Sequence, residues 1–162
     1  MTDTAAGRDR VAADAAARGL DIEFVERMRA RSLEEAAELL GIAPSSIVKT
    51  LVVARSDGSF LFALVPGDRQ LAWPKLRALV GVNKLRLPDA AEALAATGFE
   101  RGTITPLGST TAWPVYADTR MQGRRVSLGA GSHGASLFVA ADELLASLSA
   151  TVADITEPLP AR

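Results

Sequence analysis

Two apolar runs, residues 47–54 (IVKTLVVA) and 60–65 (FLFALV), stand either side of the linker RSDGS and leave this chain few ways to fold. Val, Ile, Leu and Phe favour extended backbone, and an Asp57-Gly58 turn suits a hairpin, which Pro66 and Gly67 then close. Side chains alternate along a strand, so Ile47, Lys49, Leu51 and Val53 should share one side. Lys49 breaks that stripe. An ammonium there costs several kcal/mol unless water or a partner reaches it. Two readings stay open for it: a lysine that snorkels along its own stem to water, or one held at a cleft wall to bind a phosphate or a carbonyl oxygen.

Helices are expected before the hairpin. Residues 1–9 read as a polar start, 11–18 as an Ala-rich helix, and 21–29 as helical from the spacing of Ile22, Val25 and Met28. Ser32 with Glu35 has the arrangement of a capping box, opening a helix whose apolar face is Leu33, Ala36, Ala37, Leu39 and Leu40 and which Gly41 ends. After the hairpin, Pro74 suits the first turn of a helix that buries Leu76, Leu79 and Val80. A short strand at 84–87 and a helix at 88–97 follow. Residues 98–114 (GFERGTITPLGSTTAWP) lack periodicity and read as an ordered loop. Strands at 115–118, 125–128 and 136–140, a helix at 141–148 and a strand at 151–155 finish the chain. This order predicts an α/β (α+β) fold with a mixed, largely antiparallel, barrel-like sheet surrounded by helices.

Composition removes several classes of function. At 162 residues, 48% hydrophobic and 23% charged, the chain suits one globular domain. Its 18 basic and 19 acidic residues give a net charge of -1, which argues against wrapping a long nucleic acid but not against holding one end of it. Without cysteine there is no disulfide, thiolate zinc site or thiol nucleophile. The single histidine, His133, rules out a histidine-rich metal site, and the carboxylates show no ligand spacing. No metal or other cofactor is expected. Neither a signal-peptide core nor an apolar run of membrane length is present, so the expected location is cytoplasmic, away from any membrane.

Besides Lys49, three features carry candidate chemistry. The loop RGTITPLGSTT, residues 101–111, combines Gly102 and Gly108, which let backbone amides approach a ligand, with Pro106, which stiffens it. The turn GAGSHG, residues 129–134, offers backbone amides and the His133 ring, a candidate general base that an exposed turn explains equally well. Arg69, Lys75, Arg77, Lys84 and Arg86 form a basic cluster. It is either a solvated surface or a phosphate site, with Trp73 or Trp113 offering a base a flat face or else anchoring the core.

The ordered segments AAELLGIAPSSIVKTLVV, FALVPGDRQL, TGFERGTITPLG, PVYAD, VSLGAG and AADELLASLSATVADI resemble the YbaK and prolyl-tRNA-synthetase-associated editing-domain family over most of the chain. The resemblance implies a barrel-like core with surrounding helices over residues 32–157, preceded by an N-terminal helical extension at 1–31. It also implies hydrolysis of the ester of wrongly charged aminoacyl-tRNA.

The family's essential lysine matches Lys49, and its glycine-rich G-x-x-S-P-x-G loop matches Gly102, Thr105, Pro106 and Gly108, with Thr105 keeping the hydroxyl of the usual serine. Lys49 is then expected to anchor the phosphate or ester oxygen and the Gly108 amide to stabilise the oxyanion. Thr50, Thr105, Pro106 and Ser109 are expected to hold substrate, with Gly102, Gly129, Gly131 and His133. Water is the expected nucleophile, oriented by the substrate itself. The implied partners are the 3′ acceptor end of aminoacyl-tRNA, most plausibly tRNA for proline carrying a smaller amino acid, and prolyl-tRNA synthetase, with the protein a monomer or weak dimer. A catalytically silent module that binds a nucleotide, tRNA end or synthetase is the competing expectation.

Overall fold

The computed structural model describes residues 4–160. The expected hairpin is its centre: β2 (Val48–Arg55) and β3 (Phe60–Pro66) pair antiparallel, Val48 opposite Pro66 through Ala54 opposite Phe60. Beyond β3 lie two parallel strands, β6 (Val115–Asp118) and β9 (Thr151–Ala153), and beyond β2 the short antiparallel β5 (Leu85–Arg86). A second sheet holds β1 (Ile22–Glu26), β8 (Ala135–Ala140) and β7 (Arg125–Gly129) in that order, all antiparallel. A two-stranded ladder joins β4 (Arg69–Leu71) to β10 (Thr156–Pro158). The sheets are mixed and largely antiparallel, as expected. Among the described residues no closed barrel forms, and a single parallel bridge, Ile47 to Ser127, links the two larger sheets.

Both faces of the hairpin are covered, which is why its sequence is almost continuously apolar. One side of β2, Val48 and Val52, joins Phe62 and Leu64 in the main core with Leu107, Leu128, Leu137 and Leu144. The other side sends Val53, with Leu61, Ala63 and Val65 of β3, into a second cluster against Leu76 and Ile155.

Five helices surround the sheets among the described residues: α1 (Thr4–Ala17), α2 (Leu33–Leu40), α3 (Trp73–Val80), α4 (Ala90–Thr97) and α5 (Ala141–Ser147). Ser32 caps α2 by accepting the Glu35 N–H, and Gly41 ends it in the left-handed conformation. α1 begins at Thr4, earlier than its sequence suggests; residues 1–3 lie outside the described residues. It carries Val11 and Ala15 into the main core, which this helix shares with the sheets.

One expected helix is a strand. Residues 22–26 pair with β8 along its open side, Ile22 opposite Val139 and Glu26 opposite Ala135. The apparent helical spacing ran through Met28, which is 76% exposed and marks no buried face. Strands β4 and β10 also escaped the sequence reading, because three-residue ladders carry no periodic signal. The start of β10 is tied by buried Asp118, whose carboxylate accepts from the Ile155 N–H at 3.2 Å, the Thr156 hydroxyl at 3.0 Å and the Arg120 guanidinium at 3.1 Å.

Candidate active site

β2 is bonded to β3 along its whole length, but its other edge is held only at its two ends. Ile47 bridges Ser127 at one end, and Ala54 and Arg55 pair with β5 at the other. Between these ties the two larger sheets part, leaving a cleft of ≈ 660 Å³ between β2, β7, α2 and the start of α4. That volume lies in the range of small-molecule sites.

The phase of the ladder fixes what the open edge presents. Arg55 N–H donates to the Ser59 carbonyl at one end of the hairpin, and Gly67 N–H donates to the Ile47 carbonyl at the other. Bonded and non-bonded pairs alternate in an antiparallel ladder, so Thr50 and Val52 turn their N–H and C=O groups away from β3, toward the cleft. The Thr50 hydroxyl lies buried there and makes no hydrogen bond within the protein.

Lys49 lines the same cleft, half-buried. Its ammonium donates to the Arg69 carbonyl at 2.6 Å and forms no ion pair within 4 Å. Burial pulls its pKa below the ordinary 10.5, against the opposing pull of the Asp68 and Glu34 carboxylates. The fold thus keeps a cation in a place where it is partly stripped of water and not neutralised.

Gly102 and Gly129 also line the cleft. Gly102, exposed and at φ +90, sits in the turn after Glu100, and its N–H finds no partner among the described residues. At Gly129 a side chain would strike backbone, its Cβ 2.4 Å from the Ile104 carbonyl oxygen and 3.0 Å from that of Thr103. Glycine there lets β7 lie directly against the loop that carries Gly102.

Other expected site residues stand elsewhere. Gly108 does not line the cleft; its N–H donates to Asp14 Oδ2 at 2.8 Å and its carbonyl accepts from Arg10 Nε at 3.1 Å. The oxyanion role expected of that amide is therefore corrected: its proton already serves α1, and a Cβ at Gly108 would lie 2.7 Å from the Arg10 backbone. Thr105 and Pro106 are buried in the loop, and the Thr105 and Ser109 hydroxyls make no hydrogen bond within the protein. Gly131 packs against Gly7 of α1. His133 pairs its Nε2 with Glu100 Oε2 at 3.0 Å, beside Gly102 but off the lining.

Residues that the sequence reading passed over also face the cleft: Arg27, Arg31, Arg101, Ser127 and Ser136. Ser127 and Ser136 are almost fully buried, and Arg27 Nε donates to the Ser136 hydroxyl at 2.9 Å. A serine inside each apolar run VSLG and ASLF was the available signal. Neither tryptophan is free for stacking: the Trp113 indole N–H donates to the Ala96 carbonyl at 2.8 Å with its ring edge-on to Phe60, and Trp73 packs on the second core cluster. Among the described residues, no group of three His, Cys, Asp or Glu side chains is placed to hold a metal, and no helix is long and apolar enough to cross a membrane.

Comparison with known sequences matches residues 28–146 to the aminoacyl-tRNA editing domain. The chain belongs to that family. The editing domain is 31% identical over 126 residues to the protein named Cys-tRNA(Pro)/Cys-tRNA(Cys) deacylase EbsC of Enterococcus faecalis, covering 77% of each chain. It is 40% identical over 88 residues to the proline–tRNA ligase of Thermosipho africanus, covering 54% of this chain and 16% of the ligase. Against that ligase and its counterparts, the editing domain therefore spans only about a sixth of the relative's length. Among solved structures it matches one described as a trans-editing enzyme for prolyl tRNA synthetase with a TM-score of 0.86 and 33% identity, covering 93% of this chain and 97% of that one.

Proposed function

We propose that this editing domain is a trans-editing hydrolase that removes the amino acid from mischarged tRNA, chiefly tRNA for proline carrying a residue smaller than proline. The observation that carries the reading is Lys49, whose half-buried ammonium has no carboxylate in ion-pair contact among the described residues, lining one cleft with the open edge of β2 and the free amide of Gly102. The relatives' names support the choice of tRNA and of prolyl-tRNA synthetase as a partner.

In the reaction the oxygen of a water attacks the ester carbonyl carbon. The bond from that carbon to the ribose oxygen then breaks, the ribose oxygen takes a proton, and the amino acid leaves as a carboxylate. Negative charge develops on the carbonyl oxygen in between. Lys49 and the Gly102 N–H are among the donors this cleft offers to that charge, and donors fixed before the reaction stabilise it most. The carboxylate on the lining, Asp89, is taken up as the N-cap of α4, accepting the Glu92 N–H at 2.8 Å. The proton of the attacking water therefore goes to the substrate's own amino group or ribose hydroxyl. Binding alone separates amino acids differing by a methylene only weakly, which gives a second, hydrolytic sieve its use.

The test is a deacylation panel on tRNA for proline charged with alanine, cysteine or proline. The reading predicts hydrolysis of the alanyl or cysteinyl ester well above the buffer rate, with the prolyl ester spared. Equal rates with and without protein for every ester would refute it.

A further inference from the structure

The free cations of this protein are not scattered. Among the described residues, the side chains of Arg29, Arg31, Arg55, Arg77, Lys84 and Arg101 make neither a hydrogen bond nor an ion pair. Arg31 and Arg101 line the cleft. Arg55, Arg77 and Lys84 line a second concavity of ≈ 450 Å³, together with Arg86, Asn83 and Ser56. No carboxylate lines it; Glu92 pairs with Arg86 at 2.8 Å and 3.0 Å and fixes that guanidinium in the wall, while Asp57 acts on Arg55 only through its field. Arg29 stands outside both concavities. Other cations elsewhere are met by carboxylates: Arg8 by Glu26, Arg18 by Asp14, Lys75 by Asp154, Arg120 by Asp118 and Asp154, Arg125 by Glu23.

In a chain of net charge -1, gathering uncompensated cations from three segments raises the energy of the empty protein and is relieved by an anion. The two concavities lie along one strand. β2 presents Lys49 and Thr50 to the cleft and Ala54 and Arg55 to the second concavity, with β5 closing the gap between them. From Lys49 to Arg55 the strand runs about 20 Å, at roughly 3.3 Å per residue. A polyanion whose end lies in the cleft reaches the second concavity a few units back from that end.

We propose that the concavity of Arg55, Arg77, Lys84 and Arg86 binds the phosphodiester backbone of the acceptor strand, a few nucleotides from the esterified end. The inference rests on the deacylase reading for which polyanion it is, and the experiment separates the two.

The double variant Arg77→Gln/Lys84→Gln is compared with wild type in two assays. The first is binding of full-length uncharged tRNA for proline as a function of salt. The second is hydrolysis of alanyl-tRNA for proline and of alanyl-adenosine, whose single nucleoside is too short to reach the site. Loss of two phosphate contacts lowers the slope of log K against log salt by about 2 and weakens tRNA binding about tenfold or more. Hydrolysis of the full tRNA falls with it, and alanyl-adenosine reacts as with wild type. Unchanged tRNA affinity and slope overturn the proposal, as does an equal loss on both esters. If wild type hydrolyses neither ester, the deacylase reading fails, and the salt slope alone decides the phosphate site. Lys84→Gln by itself, at an exposed position where folding is not at risk, shows about half the change in slope.

Discussion

At the scale of single residues, Lys49 shows the cost of placing a charge in an apolar strand. Its folded pKa is depressed by burial, so between that value and 10.5 the folded protein has released the proton that the unfolded chain still holds. Stability then rises with pH across that window, and the penalty is fully present below it. Urea titrations of wild type and Lys49→Met from neutral pH to about pH 10 should show wild type gaining on the variant as pH rises; a constant difference would mean that the amine is as well solvated folded as unfolded. Gly129 argues from shape instead of charge. Gly129→Ala drives a methyl into the Ile104 and Thr103 carbonyls, a clash expected to cost about 2 kcal/mol in a chemical melt and to shift β7 against the cleft, so hydrolysis falls as well. Wild-type stability in that variant would show that the loop is free to retreat.

At the scale of elements, what positions the site is less the hairpin than the ties at its margins. The Asp118 carboxylate holds the turn into β10, and β10 holds β4, where the Arg69 carbonyl receives Lys49. Asp118→Ala leaves the Ile155 N–H and the Thr156 hydroxyl without their acceptor and Arg120 with Asp154 alone, and should cost about 3 kcal/mol with a loss of activity measured at a temperature where the variant is still folded. Retained stability would show that water replaces the carboxylate there. Asp154 adds an acid-side dependence. Hydrogen bonds from Lys75 and then Arg120 hold its carboxyl well below the usual range, so its contribution is present above pH about 4 and fades as pH falls below that. Being exposed, it should also weaken in high salt. These ties are the part of the fold that the sequence conceals, since Arg69–Leu71 and Thr156–Pro158 become strands only by meeting each other. The same holds for Ile22–Glu26, where the open side of β8 outweighs a weak helical spacing.

At the scale of the whole molecule, the fold class was legible because long apolar runs, caps and turn residues are local signals, and the hairpin, α2 and α4 follow them closely. The site was legible only where a residue contradicts its neighbours. Lys49 does so within IVKTLVVA and lies in the cleft. Gly108 looked like the oxyanion donor because a glycine-rich loop reads alike whether its amides face a ligand or a helix; only the contact with Asp14 of α1 distinguishes them. Arg27 and Ser136 come together from opposite ends of the chain, a pairing no local pattern announces. The account as a whole turns on one charge in one cleft. The most direct measurement is the single-turnover rate of alanyl-tRNA for proline with wild type and with Lys49→Ala, at saturating protein. A drop of about 10² to 10³ with tRNA affinity kept within about threefold is the predicted result, and equal rates for the two proteins would contradict the account.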